Sequence, residues 1–293
     1  MKTAPFVPQK PDGSFTMRNA GNIAIIAGRG SLPVILAEEL IKSGRQPFLI
    51  GIEGEHEDWI RSHDHVILGW GQFGGLFKYL RENNCTRILL AGGVTRPRVN
   101  IAKMDWMAIK TLPQILAFMM GGDNSLLSGV IKVFEKNGVE VVGAHEVMPD
   151  LLAQEGRITG PKPGKKARAN MEKAFEACKM LGQLDIGQAA VAVGNRVVAV
   201  EGIEGTDAML QRVAELRANG KLTEAGRDGV LVKTMKPGQD MRVDLPAIGP
   251  QTVMAASNAG LAGVAVEAEK SFILNRDEAI AEAQDSDIFI YGH

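Results

Sequence analysis

The sequence predicts an α/β protein of two units, a parallel sheet followed by a mixed sheet, and two patterns carry this prediction. In the first half, short apolar runs alternate with stretches of helical periodicity, which favours a parallel, doubly wound sheet with right-handed crossovers. In the second half, "QAAVAVGNRVVAVEG" (188–202) has two apolar runs around Gly194 and Asn195. This pattern is typical of a hairpin, whose antiparallel strands make the second sheet mixed.

The first unit begins with "NIAIIAG" (22–28), an apolar run typical of a buried parallel strand. The helix after it is expected to end near Gly44. A long helical region spans 105–137 and breaks near Asp123 or Asn124, either of which can cap a new helix. The remaining elements are a helix, "FGGLFKYLREN" (73–83), and the strands "QPFLIGI" (46–52), "DHVILGW" (64–70), "RILLAGG" (87–93) and "VEVVGAHEV" (139–147).

Residues 149–170 lose apolar periodicity and carry Pro, Gly and basic residues, as a connection between domains would. A helix from about Met171 to Leu181 then leads into the second unit. We expect a flexible arm at 1–20, a Rossmann-like domain at 21–148, a linker at 149–170 and a mixed α/β domain at 171–293.

Composition excludes several classes of protein. The chain of 293 residues is 45% hydrophobic, which is enough for a sizeable core. Its net charge of −1 argues against a broad electrostatic affinity for nucleic acid. Its two cysteines form no metal-type cluster and suit a reducing cytoplasm. The first residues lack the apolar core of a secretory signal, and no apolar stretch approaches the roughly 20 residues that span a bilayer. We therefore expect a cytoplasmic protein.

Two glycine-rich turns follow strands of the first unit. "GRGSLP" (28–33) includes Gly28, Gly30 and Ser31, and "AGGVTRP" (91–97) includes Gly92, Gly93 and Val94. Each can be an ordinary turn between a strand and a helix. Together at the carboxyl ends of strands in one sheet they favour a ligand crevice, where helix N–H groups attract anions. A dinucleotide is disfavoured, because the third glycine and the ribose-binding acid are missing.

Two shorter motifs are ambiguous. His145 and Glu146 end the last strand of the first unit, and adjacent residues on a strand face opposite ways, so they are not expected to chelate one ligand together. Thr206 and Asp207, in "EGTDAM" (204–209), suit a helix N-cap and suit equally well a site for phosphate or metal-bound phosphate.

The segment "LVKTMKPGQDMRVDLPAIG" (231–249) gathers charge on a chain too rich in Pro and Gly for a helix. Lys233, Lys236 and Arg242 supply three cations, and Asp244 follows Arg242 by two residues, so an extended chain would point both side chains the same way. An exposed ion pair is one explanation. The other is phosphoryl chemistry, in which cations balance phosphate charge and a carboxylate holds a divalent metal.

These residues carry a family resemblance. "GVLVKTMKPGQDMRVDLPAIG" (229–249), "GAHEV", "LDIGQ" (184–188), "EGTDAM" and "AGRGSLP" (27–33) closely resemble the bacterial UDP-2,3-diacylglucosamine pyrophosphatases of lipid A biosynthesis, the two-domain type unrelated to the metallophosphoesterases. The resemblance runs from about residue 22 to the C-terminus. It implies hydrolysis of the substrate's pyrophosphate to 2,3-diacylglucosamine 1-phosphate (lipid X) and UMP, with water attacking the sugar-side phosphorus.

The resemblance also assigns roles to residues of this chain. The family's key acid falls on Asp244, with Arg242 and Lys233 as catalytic partners and Asp244 as ligand of Mg²⁺ or Mn²⁺. Substrate contacts are expected from the glycine turns, His145, Gln188, Thr206, Asp207 and Lys236, in a cleft between two domains that close around residues 148–170. The family often has Asn where this chain has Gly93. A homodimer, an amphiphilic UDP-sugar lipid as substrate and contact with the cytoplasmic face of the inner membrane are implied as well.

Two other functions stay open at this point. The first strand, turn and helix are compatible with a nicotinamide-dependent oxidoreductase. The same cleft would also suit a protein that binds a nucleotide sugar or lipid without turning it over.

Overall fold

The first unit is built on a parallel sheet, as predicted. The computed structural model describes residues 22–95, 104–111, 123–222 and 226–293, so the arm predicted at 1–20 lies outside the described residues. Five strands are ordered β3-β2-β1-β4-β5, and every neighbouring pair is parallel. The strands are β1 Asn22–Ala27, β2 Phe48–Ile52, β3 His65–Leu68, β4 Cys85–Ala91 and β5 Glu140–Val141.

Helices cover both faces of this sheet. The helix Ser31–Lys42 buries Leu36 and Leu40 against one face, and Phe73–Glu82 buries Phe77 against the other. Residues 106–111 are helical too, and the predicted helix break is only partly within the described ranges. The remaining α-helices are Asp123–Lys136 and Ala144–Val147, and 3-10 helices lie at Asp58–Ser62 and Pro149–Leu151. Within these described ranges no helix could cross a membrane.

The second unit has the predicted mixed sheet, with strand order β6-β13-β11-β9-β7-β8. The hairpin between β7 and β8 is confirmed, because Gly194 and Asn195 both have positive φ, as the tight two-residue turn requires. The six strands of this mixed sheet are β6 Gly156–Thr159, β7 Ala189–Val193, β8 Arg196–Val200, β9 Val230–Lys233, β11 Gly263–Val266 and β13 Phe289–Gly292. Two further strands of the second unit, β10 Ala247–Ile248 and β12 Phe272–Ile273, form a separate parallel pair. Its helices are Lys165–Gln183, Gly205–Ala218, Pro250–Asn258 and Arg276–Asp285.

Residues 149–170 hold more regular structure than the sequence indicated. They contain β6, which pairs antiparallel with β13, and the helix predicted from Met171 begins at Lys165 and continues to Gln183. The lost periodicity has a physical reason: β6 is an edge strand that stays half exposed, and the first turn of the helix is mostly solvated. This segment therefore belongs to the second sheet as much as it connects the two units.

The two units share apolar core. Leu151 and Phe272 belong to the same buried cluster as Ile25 and Leu36, and the backbone of Leu152 bridges to Phe272. The charged segment that precedes β10 also rests on the first unit. Its Val243 packs against the apolar core on the face of the first unit's sheet that Phe77 covers. The segment that carries Asp244 is thus held at the junction of the units.

Both cysteines are buried, and burial raises the pKa of Cys85 to about 11 and that of Cys178 to about 12. Because the pKa of each thiol is higher in the folded than in the unfolded state, the stabilisation that comes from keeping the thiols protonated is complete below the ordinary thiol pKa of about 8.5. This stabilisation is lost as the pH rises through 9 to 12. We expect a thiol reagent at pH 8 to label the native protein very slowly and both cysteines after denaturation. The melting temperature should fall above pH 9, and less steeply in Cys178→Ala; rapid labelling of the native chain would contradict this.

Candidate functional site

The two glycine turns lie against each other at the carboxyl ends of β1 and β4. Arg29 and Gly93 exchange two backbone hydrogen bonds of 2.9 Å. A Cβ on Gly28 would come within 2.6 Å of the Gly93 carbonyl, and one on Gly92, whose φ is +86°, within 2.6 Å of the Arg29 carbonyl. The predicted meeting of the turns at one sheet edge is confirmed. Close backbone approach explains Gly28 and Gly92, whereas a Cβ on Gly93 meets nothing within 4 Å.

Two glutamates that the sequence analysis passed over organise these turns. Glu57 accepts the backbone N–H of Gly30 at 2.8 Å, so one of the N–H groups expected to face an anion is already bonded within the chain. Glu55 is buried and accepts both the backbone N–H and the hydroxyl of Thr95. The hydroxyl bond is the largest of the effects that lower the pKa of Glu55, and Arg29 at 3.4 Å adds to it. Ser31, Gly30 and Val94 remain exposed beside them.

His145 and Glu146 lie on the short helix Ala144–Val147 and not on a strand, so the alternation argument for them was wrong. The strand ends at Val141, and the side chain of Glu146 turns back to accept the N–H of Gly143 at 2.7 Å, which fixes the start of the helix. His145 is half-buried at the junction of the units, and its Nδ1 has no hydrogen-bond partner among the described residues. A Cβ on Gly143 would meet both the imidazole and the backbone of Arg242.

The charged segment is not extended where the sequence predicted it. Residues 241–243 form a turn, in which the N–H groups of Val243 and Asp244 both approach the Asp240 carbonyl. The turn places Arg242 against Asp240, to which it donates from Nε at 3.0 Å and from Nη2 at 2.7 Å. Its Nη1 reaches across to Glu135 of the first unit at 2.9 Å. The hydrogen bond to Asp240 raises the pKa of Arg242, and the same contact lowers the pKa of Asp240.

Lys236 and Lys233 have different surroundings. The ammonium of Lys236 pairs with Asp185 at 2.7 Å. That of Lys233 donates to the Ala247 carbonyl at 3.1 Å. Burial lowers the pKa of Lys233, and the carboxylates of Glu201, Asp207 and Asp244 oppose that shift because they favour the charged ammonium. The three cations predicted to gather around Asp244 therefore bond to different partners, and Asp244 is among the carboxylates that favour the charged ammonium of Lys233.

Asp244 is held by a neighbour that the motif did not reveal: the side-chain amide of Gln239 donates to its Oδ2. The amide of Gln239 also accepts the backbone N–H of Lys236 at 3.0 Å, which ties it into the turn after Pro237. The carboxylate of Asp244 is thereby oriented by the loop that carries it.

Glu201 connects two further predicted residues. It is 7% exposed, and its Oε2 accepts the backbone N–H of Gln188 at 2.9 Å while its Oε1 accepts the Thr206 hydroxyl at 2.5 Å. Thr206 is buried in the first turn of its helix and Asp207 is exposed. The side-chain oxygen of Gln188 is buried without a hydrogen-bond partner in the described part of the chain. The second unit thus bonds Gln188 and Thr206 to Glu201, and the charges of Glu201, Asp207 and Asp244 act together on Lys233.

Both units of the chain match models of known protein families. A model of the LpxI N-terminal domain matches residues 22–151, and one of the LpxI C-terminal domain matches residues 154–291. The chain belongs to the LpxI family. It is also 39% identical over 270 residues to the UDP-2,3-diacylglucosamine pyrophosphatase LpxI of Caulobacter vibrioides, a match that covers 92% of this chain and 96% of that protein. The family identified from the sequence motifs is confirmed.

The divalent metal expected for this family can be tested against the residues present. The described residues contain no group of three or more His, Cys, Asp or Glu that could hold a metal ion. Mg²⁺ needs less than that from a protein, because it often binds through one or two carboxylates together with waters and substrate phosphates. Asp244, with its oriented carboxylate, fits such a site only if phosphate oxygens complete it.

Arg242→Ala is expected to impair substrate handling more than folding. Its pairs with Asp240 and Glu135 are partly solvated, so their loss should cost only ~0–1 kcal/mol of stability, whereas a planar guanidinium held at the junction suits phosphate oxygens. We expect kcat/KM to fall about tenfold, ~1.4 kcal/mol, with a small change in melting temperature. Glu135→Gln, which removes only the contact across the units, is the matched control. A large fall in melting temperature with unchanged kinetics would make Arg242 a structural residue.

Proposed function

We propose that this protein hydrolyses the pyrophosphate bond of UDP-2,3-diacylglucosamine and releases 2,3-diacylglucosamine 1-phosphate (lipid X) and UMP. The observation that carries the proposal is the match of both domains to one family, with 39% identity to a curated pyrophosphatase along nearly the whole chain. The arrangement at the junction of the units supports it. The carboxylates of Glu201, Asp207 and Asp244 all favour the charged ammonium of Lys233 there, and Glu201 also accepts the backbone N–H of Gln188.

In the proposed mechanism the second unit handles the diphosphate. Asp244, oriented by Gln239, holds Mg²⁺ or Mn²⁺ together with substrate phosphate oxygens. When bound, the metal balances phosphate charge and polarises the phosphorus–oxygen bonds. Lys233 presents an ammonium in a desolvated position, where its attraction for a phosphate is stronger than in water. Lys236 and Arg242 are paired with carboxylates, and each has N–H groups beyond those pairs that substrate phosphate oxygens can accept.

The first unit is proposed to hold the rest of the head group. The glycine turns leave Gly30, Ser31 and Val94 exposed at the carboxyl ends of β1 and β4, and the ring of His145 lies where the two units touch. Residues 148–170 would carry any closing motion, because the chain crosses there between the sheets. Closure would exclude water from all but the attacking position.

The test is incubation of the purified protein with UDP-2,3-diacylglucosamine and Mg²⁺ in ¹⁸O-labelled water. We expect release of UMP, with one labelled oxygen in lipid X, because water adds to the sugar-side phosphorus and the bridging oxygen leaves with UMP. Label in UMP would overturn the regiochemistry alone. Tight binding of UDP-2,3-diacylglucosamine without release of UMP would point to a binding protein. Oxidation or reduction of a substrate with a nicotinamide cofactor would point to an oxidoreductase.

Contact with a membrane surface is part of the proposal, because the substrate is a lipid. Leu184, Ile186 and Ile203 are exposed by 73%, 48% and 108%. They lie on two loops that touch, since a Cβ on Gly187 would be 2.2 Å from the Glu201 carbonyl, and these loops flank the polar residues of the site. Exposed apolar side chains beside a lipid site suit insertion into the head-group region.

Replacing all three apolar residues by serine is expected to reduce sedimentation with vesicles of phosphatidylethanolamine and phosphatidylglycerol. KM for substrate presented in those vesicles should rise, while kcat in detergent stays unchanged. Met254→Ser, an exposed apolar residue on another helix, is the control. Equal sedimentation of all proteins would remove this surface from the proposal. A cytoplasmic homodimer is proposed from the family resemblance and can be checked by sedimentation equilibrium.

A further inference from the structure

Glu201 lies in lateral register with Lys233 at one side of the second sheet, where β7 separates the edge strand β8 from β9. The N–H of Glu201 donates to the Ala189 carbonyl at 2.9 Å, which continues the pairing of β8 with β7 by one residue. Ala189 is in turn the register partner of Lys233 on β9. Cross-strand partners point to the same face of a sheet, and adjacent strands are ~4.8 Å apart. A glutamate and a lysine therefore flank a fully buried alanine, whose methyl group leaves room for the two long side chains to approach each other.

Hydrogen bonds link the same residues by a second route. The carboxylate of Glu201 accepts the N–H of Gln188, and the carbonyl of Gln188 accepts the N–H of Thr234 at 2.9 Å, the residue after Lys233. The other oxygen of the Glu201 carboxylate accepts a hydrogen bond from the Thr206 hydroxyl, which fixes the first turn of the helix that carries Asp207. One buried carboxylate thus contacts two of the segments from which the site is built and is linked to the third, which carries Lys233, through Gln188.

We infer that Glu201 is a positioning residue of this site, which holds Lys233, Gln188 and the helix start at Thr206 in one arrangement through its buried carboxylate. The inference rests on the proposed function for its kinetic consequence. A buried ammonium is costly unless a charge opposes it, and Glu201 is the first among the carboxylates that favour the charged state of Lys233, ahead of Asp207 and Asp244. Glu201 need not touch substrate to matter, because it acts through residues that do.

The experiment is a double-mutant cycle of Glu201→Gln and Lys233→Met, with Glu204→Gln as the matched control. Glu204 is a partly exposed glutamate three residues further along, paired with Arg212 at 3.2 Å. We expect Glu201→Gln to lower kcat at least ~10-fold in the native background but less than ~2-fold in Lys233→Met, because contacting residues are non-additive. KM should change little and Glu204→Gln should behave as wild type. Equal losses in both backgrounds would show that Glu201 does not act through Lys233.

The melting temperature supplies a readout that does not need turnover. Glu201→Gln should lower it in the native background, where a paired carboxylate is lost. In Lys233→Met the same change should raise it, because it removes a buried charge that has lost its cation. The same sign in both backgrounds would overturn the inference. If the wild type releases no UMP, the proposed function fails while this cycle still decides whether the pair acts as one unit.

A second variant covers the case in which Glu201→Gln does not fold. Thr206→Val keeps the shape of the side chain and removes one donor to Glu201. We expect a smaller fall in kcat than for Glu201→Gln, again reduced in the Lys233→Met background. A variant with wild-type kcat would overturn the role of Glu201 in fixing this helix start.

Discussion

Replacing Asp244 by alanine is expected to abolish turnover and to leave a folded protein that still binds its substrate. The carboxylate is among those that favour the charged ammonium of the half-buried Lys233, and it is oriented by the amide of Gln239. Its removal deletes the oxygen ligand proposed for the metal, and loss of a catalytic metal can cost several kcal/mol of transition-state stabilisation. The contacts proposed for uridine, sugar and acyl chains lie elsewhere, so affinity for the ground state should largely survive.

The measurement pairs kcat from UMP release with substrate affinity from calorimetry. Asp244→Asn is the sharper variant, because it keeps the shape and can still accept a bond from Gln239 while losing the charge. Asp58→Asn, whose side chain is 95% exposed on the first unit, is the control and should match wild type. If Asp244→Ala keeps more than about a tenth of wild-type kcat, a change below ~1.4 kcal/mol, Asp244 does not carry the chemistry.

Exhaustive chelation is expected to stop hydrolysis, and addition of Mg²⁺ or Mn²⁺ should restore it. The described residues contain no group of three or more His, Cys, Asp or Glu that could hold a metal ion, so the metal should bind weakly to the protein alone and more tightly with a diphosphate ligand present. Hard divalent cations prefer such oxygen ligands. Loss of a metal that balances the phosphate charge should then lower kcat by most of its value and not by a small part of it.

Two controls separate a catalytic metal from a structural one. The melting temperature should be unaffected by chelation, and calorimetric titration of Mg²⁺ should show stronger binding in the presence of a non-hydrolysable UDP-sugar analogue. In Asp244→Asn this enhancement should disappear. Full activity after chelation would exclude a metal from the mechanism and leave Lys233 as the cation that faces the diphosphate.

Some of the site could be predicted from local sequence because local rules govern it. Gly28 and Gly92 sit where two backbones approach too closely for a Cβ, and a turn after a buried strand signals such a position. The segment 231–249 was identified through its unusual charge and its family motif, and family membership is confirmed. The partners of its cations were not predictable in this way. Asp185 and Glu135 are 51 and 107 residues away from the cations that they hold.

Predictions from periodicity failed where a hydrogen bond to a nearby side chain set the backbone. His145 was placed on a strand, but β5 ends early and Glu146 starts a helix by bonding back to Gly143. The segment around Arg242 was expected to be extended, but contacts with Asp240 fold it into a turn. In both places one side chain bonds to a nearby backbone N–H, which outweighs the weak preference of a short segment.

The sequence by itself determined the two-unit α/β architecture, the hairpin at Gly194 and Asn195, and the family, because periodicity, turn chemistry and motif spacing act over short stretches. Only the tertiary structure decided which charges meet. It divided the three cations among separate partners, brought the charges of Glu201, Asp207 and Asp244 to act on Lys233, and placed Glu201 in register with Lys233 across a buried alanine. The reason is that the strength of an electrostatic contact depends on distance and desolvation, and the pairing of distant strands fixes both.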